Sequence, residues 1–509
     1  MIIGDVLRRN ARRYPNKTAV VFENTRYTFR ELNNRVNSLT NALLDIGVRR
    51  GDKVAVLLDN CHQYVEIHWA GAKGGMTVVP LNCGLSGQEL AYIVNDAEVN
   101  TLFLGEKYLE VVNSMRGEIK GIRNFIPIGA PSGETMNYEA LVSSYPSDEP
   151  KIEVEEKDLH LLLYTSGTTG LPKGAMLPHR NRLDGTVNVV FAHQLTPQDV
   201  FLISGPIFWG PMLGFVLPLS YVGSTLVILK GFDAKTVLET INRERITTSI
   251  MITPHITSLL EYPYLGKYDL RSLRCIVIGG LPLPAEVWKR AIKVFGNIFA
   301  QSYGLVEVGG LTFLSPEEVV LEGPPDKMRR LQSCGKETIN VELRIVDSDG
   351  NDVLPGQLGE IIARTDGVMK GYWKLPQATA EALKGGYFYT GDLATKDEEG
   401  YVYLVGRKKD IITSGGKNIY PTEVEEVLYR HPAVSEAAVI GVPDEKLGES
   451  VKAVVALKEG KKVTHEEIIG FCQQNLASYA IPRSVEFVDK LPRTASGKIL
   501  KGVLKERYQ

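Results

Sequence analysis

Apolar and polar positions along the first 300 residues follow two periods, one typical of helices and one of buried strands. Apolar side chains recur at helical spacing in residues 29–47, at Leu32, Val36, Leu39, Leu43 and Leu44. Similar spacing predicts helices at residues 63–74 and near 234–245. Short apolar runs predict buried strands at residues 53–58, 77–82, 224–229, 248–253 and 273–280. Strands that alternate with helices indicate α/β layers with largely parallel sheets.

The sequence pattern changes in the last third of the chain. From about residue 340 the segments are rich in strand formers and turns, and a charged, glycine-bearing stretch, RKKDIITSGGKN, follows Gly406. A compact pattern of alternating helices and strands completes the chain. We therefore expect a domain boundary at 406–410, with an N-terminal domain at 1–406, a hinge at 407–410 and a small C-terminal domain at 411–509.

Composition and charge narrow the class of protein. A chain of 509 residues is long enough for two to four domains, and 44% apolar with 23% charged residues is typical of a globular protein. The net charge of −2 argues against a dedicated nucleic-acid binder. No apolar run reaches the length of a membrane span, so no integral membrane association is expected.

The start of the chain and the cysteines bear on localisation. Residues 1–20 fit an amphipathic helix better than a secretory signal. The five cysteines are scattered without a CxxC pair, which suits a reducing cytoplasm and predicts neither a zinc site nor a disulfide framework.

A glycine-rich strip follows the apolar run 161–163. Residues 164–176 read YTSGTTGLPKGAM and combine glycines, hydroxyl side chains and one lysine. Glycines let backbone N–H groups close on an anion, while hydroxyls and a lysine add donors and charge. The strip is not a Walker loop, because Lys173 is followed by Gly174 instead of Ser or Thr. A phosphate-binding loop and a mobile surface turn are the two interpretations.

Further polar clusters stand far apart along the chain. In order they are YTSGTTGLPKGAMLPHRN (164–181), GGLPLP (279–284), QSYGLVE (301–307), GYW (371–373), YTGD (389–392), GRKKDIITSGGKNIYPTEVE (406–425) and PRTASGKILK (492–501). With these stretches in this order, the chain resembles the acyl-CoA synthetases of the adenylate-forming superfamily along essentially its whole length.

The resemblance implies a fold and a reaction. The fold is α/β: a large N-terminal domain of layered mixed and parallel sheets with helices and a distorted β-barrel subdomain, then a small mobile α+β C-terminal domain. The reaction has two steps. ATP, with Mg²⁺, and a carboxylic acid give an acyl-adenylate and pyrophosphate, and the thiol of coenzyme A then displaces AMP.

The resemblance also implies roles for individual residues in adenylation. The catalytic candidates are Lys498, Thr168 and Glu307, with Glu307 as the magnesium ligand. The candidates for holding ATP or AMP are Thr165, Ser166, Gly167, Thr168, Thr169, Gly170, Lys173, Gly279, Gly280, Gln301, Ser302, Tyr303, Gly304, Asp392, Arg407 and Lys498. Without the resemblance, Glu307 would be a solvated charge, Asp392 part of a turn and Lys498 an exposed lysine.

The C-terminal residues receive roles in a domain rotation. Lys409 matches the hinge position, and Gly415 and Gly416 belong to a loop expected to approach coenzyme A. Glycines there would let the backbone come close to the pantetheine arm.

The acyl pocket is expected from residues 205–220 and their surroundings. Its candidates are Phe208, Trp209, Met212, Leu281 and Gly309. Four residues depart from the family pattern. Val306 replaces a hydroxyl residue, Trp209 stands where many relatives carry histidine, Leu281 replaces a small residue, and Thr413 replaces a lysine. The segment contains no Asp, Arg or Lys, so we expect an apolar monocarboxylic acid, which can be aliphatic, alicyclic or aromatic.

Other readings remain open on the sequence. The activated acid could pass to a separate carrier protein, or the fold could serve as a non-catalytic nucleotide- or acyl-CoA-binding regulator. The reaction could also run in reverse. The expected partners are the acid, ATP and coenzyme A, without nucleic acid; the oligomeric state is open and includes a homodimer.

Overall fold

The computed structural model describes residues 1–129, 137–165, 171–280, 283, 285–493 and 499–508. These residues form two compact units. The first contains the described residues of 1–343 other than Leu171, together with Ala363–Phe388. The second contains Leu171, Arg344–Ile362 and the described residues from Tyr389 onward.

The helices and strands of the described residues have the following bounds. The helices are α1 (Gly4–Arg13), α2 (Phe29–Asp45), α3 (His62–Gly74), α4 (Gly87–Asp96), α5 (Leu109–Ser114), α6 (Tyr138–Ser144), α7 (His179–Ala192), α8 (Gly210–Val222), α9 (Ala234–Glu244), α10 (Thr253–Leu260), α11 (Ala285–Phe295), α12 (Pro325–Arg329), α13 (Pro376–Ala382), α14 (Pro421–Arg430), α15 (His465–Asn475) and α16 (Lys501–Tyr508). The strands of the first 305 residues are β1 (Thr18–Phe22), β2 (Thr25–Thr28), β3 (Lys53–Leu57), β4 (Thr77–Pro80), β5 (Val99–Gly105), β6 (Asn124–Ile128), β7 (Leu159–Thr165), β8 (Lys173–Pro178), β9 (Val200–Ile203), β10 (Thr225–Ile228), β11 (Thr248–Met251), β12 (Cys275–Ile278) and β13 (Phe299–Leu305). The later strands are β14 (Gly309–Leu314), β15 (Lys336–Glu337), β16 (Glu342–Val346), β17 (Gly359–Arg364), β18 (Gly371–Tyr372), β19 (Leu383–Lys384), β20 (Tyr387–Lys396), β21 (Val402–Arg407), β22 (Ile412–Ser414), β23 (Lys417–Ile419), β24 (Val434–Asp444), β25 (Gly448–Leu457) and β26 (Ser484–Phe487). Each helix and strand expected from the hydrophobic pattern is present within a few residues of its predicted bounds.

Two sheets form the first unit. One has the order β15-β14-β13-β12-β11-β9-β10-β1-β2, and the other has the order β18-β8-β7-β4-β3-β5-β6. Their central pairs are parallel, while the pairs β7–β8, β8–β18 and β13–β14 at one end of each sheet are antiparallel. The largely parallel sheets expected from the alternating pattern are confirmed.

The central strands of the seven-stranded sheet consist mostly of apolar residues because helices cover them. On one face, Ala55, Val79, Leu102 and Leu162 pack against Leu90 and Val94 of α4. Helix α2 begins at a capping box, in which the Thr28 hydroxyl accepts from the Glu31 N–H and the Glu31 carboxylate accepts from the Thr28 N–H.

The second unit contains a sheet of β16, β17, β20 and β21, whose strands lie mostly within it. A barrel is expected in this region, and its closure stays a prediction. The C-terminal part is a sheet of β22 to β26 with helices on both faces. Successive side chains of β24 point to opposite faces of this sheet, and each set packs against helices. Ala437 and Val439 of β24 share a core with α14 and α15, whereas Ala438 and Ile440 pack with Leu504 of α16.

The α/β class, with a large N-terminal part and a small α+β C-terminal part, is therefore confirmed. The boundary at 406–410 and the hinge stay predictions. Every helix in the described ranges is too short or too polar to cross a bilayer. All five cysteines are free thiols.

Three buried histidines form a row inside the first unit. The rings of His68 and His160 lie with centroids 4.5 Å apart, and those of His160 and His179 lie 5.3 Å apart. Burial lowers the pKa of His68 to about 3 and that of His179 to about 4, and it lowers the pKa of His160 well below its usual range. The folded protein therefore holds these rings neutral, since a charged ring there would lose its hydration.

The histidine row predicts that the protein loses stability as pH falls. Below pH 6.5 the unfolded chain binds protons on these side chains and the folded chain does not, so the free energy of unfolding decreases down to the folded pKa values. Each histidine lowers it by about 2 kcal/mol at pH 5 relative to pH 8. Urea titrations at pH 8, 6.5 and 5 measure this decline. His68→Leu should make the decline shallower, whereas His465→Leu at an exposed position should leave it unchanged. An equal slope in all three proteins would contradict this account.

Candidate active site

The glycine-rich strip joins two paired strands at the end of the seven-stranded sheet. Thr165, the last residue of β7, pairs with Lys173, the first residue of β8, and the Thr165 hydroxyl donates to the Lys173 carbonyl at 3.4 Å. Lys173 is exposed. Five residues of the predicted phosphate-binding loop lie outside the described residues: Ser166, Gly167, Thr168, Thr169 and Gly170. Strands β7 and β8, which flank the strip, therefore form a β-hairpin.

The predicted nucleotide residues of the other sheet lie around the point where β12 ends beside β13. Strands β12 and β13 are parallel, with Ile278 opposite Gln301, so Gly279 comes after the end of β12, whereas β13 continues to Leu305 in pairing with β14. Gly280 has a φ of +85°, which favours glycine. Tyr303 is buried, and the side-chain oxygen of buried Gln301 has no hydrogen bond among the described residues. A polar, glycine-lined edge is therefore present where adenine is expected.

Glu307 follows β13 and lies on the turn to β14. Its side chain is largely buried, with 7% exposed, and Oε1 accepts from the Tyr372 hydroxyl at 3.0 Å. Its backbone carbonyl accepts from the Met369 N–H at 2.6 Å. No cluster of three or more metal-ligating side chains occurs in the described part of the chain. A single carboxylate fits Mg²⁺ that arrives with ATP, because Mg²⁺ is commonly held by one or two carboxylates and phosphate oxygens.

Tyr372 belongs to the motif GYW, but sequence reasoning gave it no role. It lies in β18, which pairs with β8 so that Tyr372 is opposite Ala175. Besides its hydrogen bond to Glu307, its ring faces the Lys173 ammonium, with Nζ 5.3 Å from the ring centroid. One side chain therefore contacts two of the predicted site residues.

Asp392 and Arg407, predicted to hold the ribose and phosphate, lie together in the second unit. They are opposite each other on β20 and β21, and Arg407 Nε lies 2.8 Å from Asp392 Oδ1. Asp392 is buried, and the arginine compensates its charge. The catalytic candidate Lys498 lies outside the described residues.

The predicted hinge and coenzyme A residues are exposed in the second unit. Lys409 lies in the short 3-10 turn Lys408–Asp410. Gly415 and Gly416 form the turn between β22 and β23 with φ of +56° and +77°. A side chain on Gly415 would lie 3.2 Å from Leu447, whereas no atom lies within 4 Å of the corresponding position on Gly416. This turn therefore presents bare backbone to solvent.

Trp209, one of the acyl-pocket candidates, packs against Gly279 just beyond the end of β12. Trp209 is the residue before α8, and its ring lies 3.3 Å from where a side chain on Gly279 would begin. A side chain on Gly210 would lie 2.9 Å from Val306, so Gly210 leaves room for that departure from the family pattern. Met212 is fully buried, Phe208 is partly exposed, and Gly309 begins β14 with φ of +77°. Leu281 lies outside the described residues.

Asn60 is a residue that the sequence analysis missed. It is buried just beyond β3, and its amide donates to the Gly205 carbonyl at 2.8 Å and accepts from the Ile207 N–H at 2.8 Å. These bonds fix the segment that leads to Trp209. No motif contains Asn60, and its partners are about 145 residues away in sequence, so no sequence signal would have found it.

Comparisons with known proteins agree with this geometry. The profile of the AMP-binding enzyme family matches residues 7–373, and that of the AMP-binding enzyme C-terminal domain matches residues 423–498. The chain belongs to the AMP-binding enzyme family. It is 38% identical to a feruloyl-CoA synthase of Amycolatopsis sp over 503 residues, covering 98% of each chain. It is 33% identical to the long-chain-fatty-acid–CoA ligase FadD13 of Mycobacterium tuberculosis over 513 residues, covering 99% of this chain and 98% of the relative. Among solved structures, the anthranilate CoA ligase AuaEII in complex with anthranoyl-AMP superposes with a TM-score of 0.90 at 29% identity, covering 100% of this chain and 97% of that one.

The enzyme class expected from the motifs is confirmed by these relationships. The chain is an AMP-forming acyl-CoA synthetase, which uses ATP to activate a carboxylic acid and transfers the acyl group to coenzyme A. ATP and coenzyme A are substrates of this class.

Alanine substitutions at two glycines of the β13–β14 hairpin are expected to have different effects. A Cβ on Gly304 would lie 2.2 Å from the Gly309 carbonyl oxygen, so Gly304→Ala forces the hairpin apart beside Glu307. We expect a loss of about 2 kcal/mol in the free energy of unfolding and at least a tenfold loss of ATP affinity. The matched control is Gly310→Ala, because its Cβ would meet nothing closer than Ser302 at 4.0 Å. For each variant, chemical denaturation measures the free energy of unfolding, and calorimetric ATP titration measures the affinity for ATP. Equal behaviour of the two variants would contradict this reading.

Proposed function

We propose that this acyl-CoA synthetase activates a planar aromatic monocarboxylic acid. The observation that carries the proposal is the position of Trp209 against Gly279 at the candidate acyl site. A rigid indole packed against a bare glycine favours a flat ring over a flexible chain. Residues 205–220 add no charged side chain that could pair with a second charge on the acid.

The named relatives support this choice without deciding it. Feruloyl and anthranoyl groups are aromatic, and enzymes named for them are among the similar proteins. FadD13 is named for long-chain fatty acids, so aliphatic acids belong in any test of the proposal.

The proposed first step joins two anions. A carboxylate oxygen of the acid attacks the α-phosphorus of ATP, and the bond from this phosphorus to the pyrophosphate oxygen breaks. Positive charge and oriented donors lower the repulsion in this step. We assign Lys498 to the attacking carboxylate and the α-phosphate. Residues 165–170 and Lys173 hold the β- and γ-phosphates, with Thr168 among the donors.

The proposal also assigns residues to the adenine, the ribose and the metal. Tyr303 lies against adenine with the backbone of Gly279 and Gly280, and Asp392 accepts from the ribose hydroxyls. Glu307 would hold Mg²⁺, which neutralises phosphate charge when bound.

The second step forms the thioester. The sulfur of coenzyme A bonds to the acyl carbon, the bond from this carbon to the AMP phosphate oxygen breaks, and the thiol proton passes to solvent. We assign the turn at Gly415 and Gly416 to the approach of coenzyme A, after a rotation about Lys409 that removes Lys498 from the site. A bare backbone turn suits this contact.

A substrate panel tests the aromatic assignment. We expect AMP and acyl-CoA to appear together with aromatic acids, with kcat/KM at least tenfold above that for octanoate and palmitate. Trp209→Ala should shrink this preference to about threefold or less, because it removes the flat wall. Phe191→Ala, at a position that is 62% exposed, is the control and should keep the preference.

Three other outcomes of the panel have distinct meanings. Faster turnover of fatty acids by the wild-type enzyme would overturn the aromatic assignment. AMP release that needs a holo-carrier protein instead of coenzyme A would favour the carrier reading. Binding of ATP and acid without turnover would favour a regulator.

A substitution of Lys498 tests whether this residue acts in adenylation and not in thioester formation. Lys498→Ala should lower acid-dependent pyrophosphate exchange at least about 100-fold, because it removes a cation from the transition state of adenylation. Thioester formation from supplied acyl-adenylate should change by less than about threefold. Lys490→Ala, at an exposed lysine of the same unit, is the control. An equal loss in both steps would refute the assignment.

A further inference from the structure

Tyr372 is held in place by both sheets of the first unit. Its own strand pairs with β8, and its hydroxyl reaches across to Glu307 at the end of β13, at 3.0 Å. At the next residue, the Trp373 N–H donates to the Gly174 carbonyl at 2.7 Å, and the indole N–H donates to the Asp96 carbonyl at 2.9 Å. The phenol therefore has little freedom to turn away from Glu307.

The hydrogen bond from Tyr372 acts on a carboxylate that has no cationic partner among the described residues. A neutral donor fixes the orientation of Glu307 and leaves its negative charge intact, whereas an arginine or lysine partner would neutralise it. Oε1 is engaged by the phenol, and none of the described hydrogen bonds reaches Oε2. The carboxylate is thus oriented and charged, with one oxygen available to a cation.

The ring of the same tyrosine orients the phosphate-site lysine. Lys173 Nζ lies 5.3 Å from the ring centroid, within the distance at which a cation is attracted to an aromatic face. Lys173 makes no ion pair within the described ranges, so its charge remains available to an anion. The tyrosine therefore contacts both a cation and an anion of the candidate site.

We propose that Tyr372 is a positioning residue for the magnesium complex of ATP. Its hydroxyl orients the Glu307 carboxylate toward the metal, and its ring orients the Lys173 ammonium toward the phosphates. This inference rests on the proposed roles of Glu307 and Lys173. It adds that a single side chain fixes both, so that metal and phosphate are held in one arrangement.

Tyr372→Phe isolates the hydroxyl because it keeps the ring. We expect calorimetric affinity for ATP in excess Mg²⁺ to fall about tenfold, a loss typical of removing a partner that orients a metal ligand. Affinity for ATP in EDTA should change by less than twofold, since the ring still faces Lys173. The Mg²⁺ concentration for half-maximal pyrophosphate exchange should rise to a similar extent. Tyr372→Leu should weaken ATP binding in EDTA as well.

A matched control separates this role from general stability. Tyr145 donates to Asp45 at 2.7 Å, so Tyr145→Phe also removes a hydrogen bond from tyrosine to carboxylate, away from the motifs. It should leave both ATP affinities unchanged. The inference is overturned if Tyr372→Phe lowers the melting temperature but binds ATP in Mg²⁺ as the wild type does. If wild-type ATP affinity itself does not depend on Mg²⁺, the proposed role of Glu307 fails first, which is a separate result.

Discussion

The segment Met369–Trp373 joins the two sheets of the first unit, and the arrangement of the candidate site depends on it. The Met369 N–H donates to the carbonyl of Glu307 in one sheet, and the N–H groups of Lys370 and Trp373 donate to the carbonyls of Met176 and Gly174 in the other. These are backbone bonds in a largely buried place, where an unpaired donor would be costly. The segment therefore fixes the end of the phosphate-site hairpin against the turn that carries Glu307.

This join also solves an electrostatic problem. In the proposed site, Lys173 serves phosphate and Glu307 serves a metal, and a direct pair between these two residues would cancel both charges. The Tyr372 hydroxyl donates a hydrogen bond to Glu307, and its ring faces the Lys173 ammonium. Neither contact neutralises a charge, so in this proposal both side chains serve the magnesium complex of ATP.

The sequence predicted the elements of this fold better than the contacts between them. Helices such as α2 and strands such as β3 and β12 follow from local periodicity, and the motifs led to the nucleotide residues by resemblance. The sequence predicted no role for Asn60 or Tyr372, because their importance depends on partners about 145 and 65 residues away. Such contacts are set by the way the sheets meet, which periodicity does not encode. For Thr168, Leu281 and Lys498, outside the described residues, the motif is the only guide.

The pair of Asp392 and Arg407 shows how a predicted binding residue can also serve the fold. Burial removes the hydration of a carboxylate, so a buried aspartate needs a partner for its charge. Arg407 Nε lies 2.8 Å from Asp392 Oδ1 on the adjacent strand and supplies that partner. The ion pair therefore fixes the position of Asp392, the residue proposed to contact the ribose, and lets its carboxylate be buried.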